Sequence, residues 1–224
     1  MSKPLPSVID GYVRDGLVLC FDGYQPPSGG KWKDLSGSGN DMILGADATF
    51  DETAHKVSFT GTTSETTSAV PFDAASGLTI EVVGGFSAKN QLWFSSDSEW
   101  PNTPKIFLGA GLYIAFRTLK DSNTYANLGG WFMSRDSIDG EMQFATADTA
   151  SELNGLNNNS EEWDRRPSIT QTDAFLQTNY KLQFGPAFIR SFRIYNRKLT
   201  AAELLQNRLL DAKRFNLSTT NIQG

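Results

Sequence analysis

Turn-forming residues divide the sequence into short runs of β-branched and aromatic residues. Gly, Pro, Asn, Asp and Ser interrupt the chain at intervals of about 8 to 12 residues. The runs predicted to be strands are 17–21, 56–60, 78–83, 91–94, 106–108, 112–116, 130–133, 141–145, 180–184 and 188–195. The pattern does not alternate these runs with helices of about 10 to 15 residues, as a parallel sheet would require. The spacing therefore predicts an all-β fold, an antiparallel sandwich or barrel.

One helix is predicted near the C-terminus. Thr200-Ala-Ala-Glu203 has the pattern of a capping box, in which the hydroxyl and the carboxylate each accept a hydrogen bond from the other residue's backbone. An apolar stripe follows, formed by Leu204, Leu205, Leu209 and Ala212. Because the last strand leads directly into this helix, we expect the helix to close one end of the sandwich.

Composition excludes several classes of protein. The 224 residues are 39% hydrophobic and 12% aromatic, which is too apolar for a disordered chain. A single Cys and a single His exclude an intrachain disulfide and a Cys-based zinc site. The net charge of −5 argues against a nucleic-acid partner, since phosphate binding uses clustered Lys and Arg. Without an apolar run of about 18 residues, no membrane-spanning helix is predicted.

The sequence predicts one domain with short extensions. We expect an N-terminal arm over 1–10, a single domain over 11–215 and a polar tail over 216–224. The N-terminus contains Pro4 and Pro6 and lacks the apolar stretch of a secretory signal, so a mature or leaderless protein is expected. The least regular stretch, 146–174, is predicted to be a long surface loop, and loops of that length are often functional.

Two phrases of the sequence resemble a known family. Trp32-Lys-Asp-Leu-Ser-Gly-Ser-Gly-Asn-Asp41 follows a strand that ends in Asp22-Gly23, and Arg193-Ile-Tyr-Asn-Arg-Lys-Leu-Thr-Ala-Ala-Glu203 ends the domain. Together they resemble the concanavalin A-like lectin/glucanase superfamily in its laminin-G-like branch, over roughly 11–95 and 180–215. The resemblance implies a jelly-roll sandwich of two antiparallel sheets. Within the first phrase, 36–40 is predicted to be a tight turn whose residues tolerate positive φ.

Catalysis is not expected. Glucanases of this superfamily carry two catalytic carboxylates on one strand, in an E-x-D-x-E or E-x-D-x-x-E motif, and the chain contains neither. The nearest acidic cluster, Glu161-Glu-Trp-Asp164, has the wrong spacing and lies in the loop-like stretch. Cys20 is predicted to be an inert core residue and His55 a turn residue. We therefore predict that the protein is not an enzyme.

The resemblance also raises calcium as a cofactor. Many members of the superfamily bind Ca²⁺ through loop oxygens, and Asp34, Asn40 and Asp41 supply such oxygens here, with Asp22 nearby in sequence. Asp and Asn are equally the usual residues of tight turns. The sequence leaves both interpretations open.

The middle of the chain contains the residue types of a sugar-binding site. Such sites combine an aromatic platform with a few placed amide and carboxylate groups. Trp100 and Trp163 are the strongest candidates because each lies in a polar, loop-like context. Possible partners for them are Tyr125, Asn157, Asn158 and Asp164. The alternative is that these aromatic residues fill the core, and that alternative is favoured for Tyr113 and Trp131, which lie in strand-like runs.

These observations predict a non-catalytic binding or structural module. The resemblance extends to short, leaderless proteins of tailed phages and prophages, which implies a virion surface, fibre-associated or decoration protein. Its partners would be other virion or surface proteins or a cell-surface glycan, without membrane insertion, and it would form a symmetric homo-oligomer. The alternatives are a secreted, extracellular lectin-like module cut from a larger chain and, less favoured, a glycoside hydrolase with an unfamiliar carboxylate pair.

Overall fold

The structure is a computed structural model, and it describes part of the chain. Backbone is described for residues 8–61, 63–70, 72–73, 79–86, 92–95, 105–109, 113–121, 124–127, 137–138, 141–148, 177–178, 181–185, 187–197 and 199–217. Side chains are described for residues 8–61, 63–70, 79, 81–84, 181–185, 187–197 and 199–217.

Antiparallel strands make up most of the described chain. They are β1 (Leu17–Asp22), β2 (Lys31–Trp32), β3 (Met42–Ile43), β4 (Ala48–Asp51), β5 (Lys56–Phe59), β6 (Glu65–Thr66), β7 (Phe72–Asp73), β8 (Thr79–Phe86), β9 (Leu92–Ser95), β10 (Lys105–Gly109), β11 (Tyr113–Asp121), β12 (Thr124–Asn127), β13 (Ser137–Ile138), β14 (Glu141–Asp148), β15 (Gln177–Thr178), β16 (Lys181–Phe184) and β17 (Ala187–Tyr195). Helix α1 (Ala201–Phe215) follows the last strand.

Two large sheets contain most of these strands. The seven-stranded sheet has the order β13-β14-β8-β17-β5-β4, with β1 also paired to β17. The eight-stranded sheet has the order β12-β11-β10-β9-β16-β6-β3-β2, and β7 and β15 form a separate pair. The architecture confirms the predicted antiparallel sandwich with one short C-terminal helix. Nine of the predicted strands are present, and the tenth, 130–133, lies outside the described residues.

Aromatic side chains fill the space between the sheets. Phe184 lies 5.0 Å from Phe59 and 5.2 Å from Phe192, measured between ring centroids. Trp32, fully buried, stacks on Phe21 at 5.2 Å. Large aromatic residues remove much apolar surface from water and favour such offset and edge-on geometries. Trp32 therefore contributes to the packing between the sheets.

The chain reverses between β16 and β17, and this reversal relates the ends of the two sheets. Phe184 and Phe192 are eight residues apart, yet their rings are in contact. An extended strand of that length would separate them by about 26 Å. The start of β16 at Lys181 and the end of β17 at Tyr195 therefore lie at the same end of the sandwich, named here the Tyr195 end.

Helix α1 covers the outer face of the seven-stranded sheet, so the expectation that it closes one end of the sandwich is wrong. Near its C-terminus, Phe215 packs with Val83 of β8. Near its N-terminus, Leu204 joins a buried cluster with Tyr195 of β17 and with Ile9 from the segment before β1. The helix therefore runs back along the sheet. The outer face of the sheet also carries apolar side chains, and the helix shields them from water.

The capping box of α1 is confirmed, but its apolar stripe is only partly correct. Thr200 and Glu203 exchange both reciprocal hydrogen bonds. Leu209, predicted to face the core, is 47% exposed. The buried side of the helix is instead half polar, and its six residues are Leu204, Asn207, Arg208, Asp211, Ala212 and Phe215. The rotation of the helix is thus set by polar partners on the sheet.

Three positions require glycine, for two different reasons. Gly37 and Gly39 have φ values of 95° and 79°, which confirms the predicted turn over 36–40. Gly23 is required by space, since a Cβ there would lie 1.8 Å from the carbonyl oxygen of His55.

The predicted domain boundaries stay predictions, although Ile9, within the predicted arm, is buried. No helix in the described part of the chain has the length and apolar character needed to cross a membrane.

Candidate functional site

Most of the predicted ligand residues lie outside the described part of the chain. The residues outside it are Trp100, Asn157, Asn158, Trp163 and Asp164. Tyr125 lies in β12, where it pairs with Leu119 of β11. The proximity of these residues to one another therefore stays a prediction.

The strand ends that flank these segments share one end of the sandwich. The segment with Trp100 leaves β9 at Ser95, which pairs with Lys181 at the Tyr195 end. In the other sheet, β14 ends at Asp148, opposite Thr79 of β8, and Thr79 pairs with Tyr195 itself. The segment that contains Trp163 begins after Asp148. Both tryptophan-bearing segments thus leave their strands at the Tyr195 end.

The loop over 34–41 is organised by one carboxylate. Asp34 Oδ1 accepts hydrogen bonds from the backbone N–H groups of Cys20 and Ser36, each within 3.0 Å. Asp34 Oδ2 accepts from the Ser36 hydroxyl at 2.9 Å and from the backbone N–H of Asn40 at 3.0 Å. The Asp41 carboxylate in turn accepts a hydrogen bond from the backbone N–H of Asp34 at 3.0 Å. The residues of the conspicuous sequence phrase therefore bind one another.

This loop also covers the outer edge of β1. The backbone N–H of Leu35 donates to the carbonyl of Cys20 at 2.8 Å, and Trp32 Nε1 donates to the carbonyl of Asp22 at 3.1 Å. An uncovered strand edge presents unpaired backbone groups that pair with other chains. The Leu35 backbone, the Asp34 carboxylate and the Trp32 indole here take the place of a neighbouring strand, which is consistent with the burial of all six residues of β1.

The predicted calcium site stays a prediction, and the hydrogen bonds of Asp34 constrain it. An ionised carboxylate offers about four acceptor positions, and Asp34 already accepts four hydrogen bonds. A cation at Asp34 would have to displace some of them. Within the described residues, no group of three or more His, Cys, Asp and Glu side chains is arranged to hold a metal ion.

A network of buried charges lies between α1 and the seven-stranded sheet. Arg193 of β17 donates from Nε to Glu81 of β8 at 2.9 Å and from Nη1 to Asp211 of α1 at 3.0 Å. The Tyr12 hydroxyl also donates to Asp211, and the Arg193 guanidinium lies 4.2 Å from the Tyr12 ring centre. The side chains of Arg193 and Asp211 are only 1% and 2% exposed.

The network extends along the helix. Asn207, one turn before Asp211, donates to Glu81 at 2.7 Å and accepts from the backbone N–H of Val13 at 3.0 Å. One turn after Asp211, Arg214 donates two hydrogen bonds to Asp22, at 2.7 and 2.8 Å. Positions 207, 211 and 214 lie on one helix face because 3.6 residues make a turn. The helix is thus fixed to the sheet by polar side chains at three successive turns.

These groups form a structural core element that the sequence analysis missed. Burial alone would lower the pKa of Arg193, but the carboxylates of Asp211 and Glu81 raise it well above its ordinary value, so the guanidinium stays charged. Glu81 and Arg193 alternate with apolar residues along their strands, a pattern typical of a solvent-facing surface. The available signal was that Asn207, Asp211 and Arg214 share one face of the predicted helix.

Cys20 and His55 have the structural roles that were predicted. Cys20 is fully buried, and burial raises the pKa of its thiol, which disfavours the reactive thiolate. His55 lies in a turn at φ 49°, and its ring stacks on Tyr24 with centroids 3.8 Å apart. Neither residue resembles an activated catalytic group.

The fold is shared with solved structures of distant sequence. A mutant of Trypanosoma rangeli sialidase displaying trans-sialidase activity is 11% identical, with a TM-score of 0.52 over 91% of this chain. The binding domain of botulinum neurotoxin DC in complex with SialylT is 11% identical, with a TM-score of 0.52 over 89%. The botulinum neurotoxin serotype D binding domain is 10% identical, with a TM-score of 0.52 over 90%. At this identity, the likeness concerns the fold alone.

The chain is only part of the size of these proteins. It spans 34% of the sialidase chain and 52% of each toxin binding domain. No protein-family model matches the chain, and no curated protein sequence matches it. The shared element is therefore an antiparallel β-sandwich that occurs both in an enzyme and in binding domains.

Proposed function

We propose that this protein is a non-catalytic recognition module whose ligand is a glycan. The observation that carries the proposal is the shared position of the strand ends at Ser95 and Asp148, from which both tryptophan-bearing segments leave. Loops at one end of a rigid sandwich are a common place for binding residues. A toxin binding domain of the same fold, solved in complex with SialylT, is consistent with this proposal.

The engagement of the buried carboxylates supports a non-catalytic role. A glycosidase needs a pair of carboxyl groups that face the substrate and exchange protons with it. Here Glu81 and Asp211 are held by Arg193, Asp22 is held by Arg214, and Asp34 is held by loop N–H groups. In the part of the chain that the structure describes, these four carboxylates therefore bind other groups of the protein and stabilise the fold.

Our proposal includes the context in which the module works. The resemblance to the laminin-G-like branch and to short phage proteins supports a virion surface or fibre-associated protein that assembles as a homo-oligomer. A secreted lectin-like module is the alternative. Mass spectrometry of purified native particles distinguishes the two, because a virion protein is recovered with the other particle proteins at a fixed stoichiometry.

Alanine substitution at both loop tryptophans tests the site. In Trp100→Ala/Trp163→Ala, we expect loss of the glycan-array and cell-binding signals at unchanged thermal stability, since an aromatic platform supplies most of the contact area of a sugar site. Leu209→Ala is the matched control, because it removes an apolar side chain that is 47% exposed elsewhere on the surface. Signals that persist in the double variant would show that this site assignment is wrong.

A further inference from the structure

The strand register divides the eight-stranded sheet into an inner and an outer face. Residues that pair directly across antiparallel strands lie on the same face, and successive residues alternate. Trp32, Met42 and Leu182 are buried and mark the inner face. Ile43, at 44% exposure, and Glu65, whose side chain is 35% exposed, mark the outer face.

The register places two aromatic residues on the outer face. Ile43 pairs with Glu65, and Glu65 pairs with Gln183. Gln183 pairs with Trp93 of β9, which pairs with Phe107 of β10. Trp93 and Phe107 are thus adjacent positions on the face that does not form the core.

The sequence of these strands supports the assignment independently. In β9, in β10 and in the part of β11 that pairs with β10, the alternate positions that fall on the inner face are all apolar, as a core requires: Leu92, Phe94, Ile106, Leu108, Ile114 and Phe116. The outer positions are mixed in character. A core-forming pattern on one face only is typical of a sheet with one solvent face.

A row of cationic and polar positions runs beside the aromatic pair. Lys181 pairs with Ser95, and Lys105 pairs with Arg117, which in turn pairs with Asn127 of β12. Ser95 follows Phe94, the partner of Ile106, so it is level with Lys105. This row is two residues, or about 7 Å, from the aromatic pair along the strands. Tyr125 lies on the same face, two positions beyond Asn127.

We infer that the outer face of the eight-stranded sheet binds an acidic glycan. The inference rests on the proposed function and adds to it a contact surface beyond the tryptophan-bearing segments and the class of ligand. Trp93 and Phe107 occupy positions suited to a platform for sugar rings, and Lys105 and Arg117 occupy positions suited to carboxylate or sulfate groups. An acidic partner is notable because the chain as a whole carries a net charge of −5. The cationic row is therefore a local departure from the general charge.

A glycan fits this face better than a nucleic acid does. Glu65 lies on this face and forms a salt bridge of 2.6 Å with Lys181. It therefore offsets one of the three cations of the face, which are Lys105, Arg117 and Lys181. Nucleic-acid surfaces are strongly basic, because each phosphate contact uses a Lys or Arg. A few cations beside aromatic positions match a polymer of sugar rings that carry acidic groups.

The experiment measures binding of the full chain to polygalacturonate, to α2,8-linked polysialic acid, to neutral dextran and to an oligo(dT) strand. We expect binding to at least one acidic glycan, weakened by salt because charge contacts are screened. Lys105→Gln/Arg117→Gln should weaken that binding by about tenfold or more, since hydrogen bonds to charged groups contribute strongly. Trp93→Ala should weaken it as well. Lys31→Gln is the matched control, an exposed lysine at the far edge of the same sheet.

The outcomes separate this inference from the proposed function. Three results would overturn the acidic-glycan face and leave a glycan-binding module intact. They are binding to dextran alone, binding to an acidic glycan that salt leaves unchanged, and unchanged binding in Lys105→Gln/Arg117→Gln. Equal or tighter binding to oligo(dT) would also overturn the inference. Failure to bind any glycan would overturn both. Circular dichroism and thermal melting establish that each variant is folded, and the salt titration of the wild-type protein needs no variant.

Discussion

Replacing Asp211 with Asn tests whether buried charges hold α1 on the sheet. In the wild-type protein, Asp211 accepts hydrogen bonds from the Tyr12 hydroxyl and from two nitrogens of Arg193. The variant leaves the Arg193 guanidinium with Glu81 as its remaining carboxylate partner. Because the Arg193 side chain is 1% exposed, water cannot solvate the guanidinium in place of the lost carboxylate.

The expected cost is large for a substitution of nearly equal size. Removing one partner of a buried ion pair costs about 3 to 5 kcal/mol. In a chain of this length, 1 kcal/mol corresponds to about 2 to 4 °C in melting temperature. We therefore expect Asp211→Asn to lower the Tm by roughly 6 to 20 °C, measured by circular dichroism and checked by urea unfolding.

Glu65→Gln is the matched control for this prediction. It removes one carboxylate from a salt bridge with Lys181, but the two side chains are 35% and 41% exposed. Exposed pairs contribute about 0 to 1 kcal/mol, so the Tm should change by no more than about 4 °C. Equal losses in the two variants, or an Asp211→Asn protein that melts with the wild type, would refute the view that the buried network stabilises the fold.

Four further predictions follow from the described residues. The Arg197 guanidinium lowers the pKa of Glu203 from 4.5 to about 2, so its contribution is complete above pH 4.5 and is lost as the pH falls towards 2. Glu203→Gln should thus cost about 1 kcal/mol at neutral pH and nothing near pH 2, measured by urea unfolding. Gly23→Ala should prevent stable folding, whereas Gly37→Ala, which has open space, should cost only about 1 to 2 kcal/mol for its positive φ. Cys20 should resist thiol reagents until the protein is unfolded, and rapid labelling of the native protein would contradict its burial. If the predicted calcium site exists, a chelator should lower the melting temperature; equal melting in saturating calcium and in chelator would eliminate that site.

Local patterns were sufficient to predict the elements of the fold. The strands around Leu19 and Phe192 follow from apolar runs between turn residues, and the start of α1 follows from Thr200 and Glu203. In each case the interaction that fixes the structure joins residues close in sequence or repeats with the period of the element. Two-residue strands such as β2 and β3 were missed because a ladder that short leaves no periodic signal.

The arrangement of the elements could not be predicted in the same way. Glu81, Arg193 and Asp211 are far apart in sequence, and each has an ordinary surface pattern by itself. Only the position of α1 over the outer face of the sheet turns them into buried partners. The pairing of Trp93 with Phe107 is equally a product of register, and a shift of one residue would place both on the inner face.

We expect the protein to bind glycans without altering them. A glycan array probed with the full chain, followed by mass spectrometry of the glycans recovered from it, tests this directly. We expect a defined subset of glycans to retain the protein and to be recovered with unchanged mass. Retention by none of the glycans would contradict the glycan-binding role, and recovery of shortened glycans would contradict the non-catalytic role.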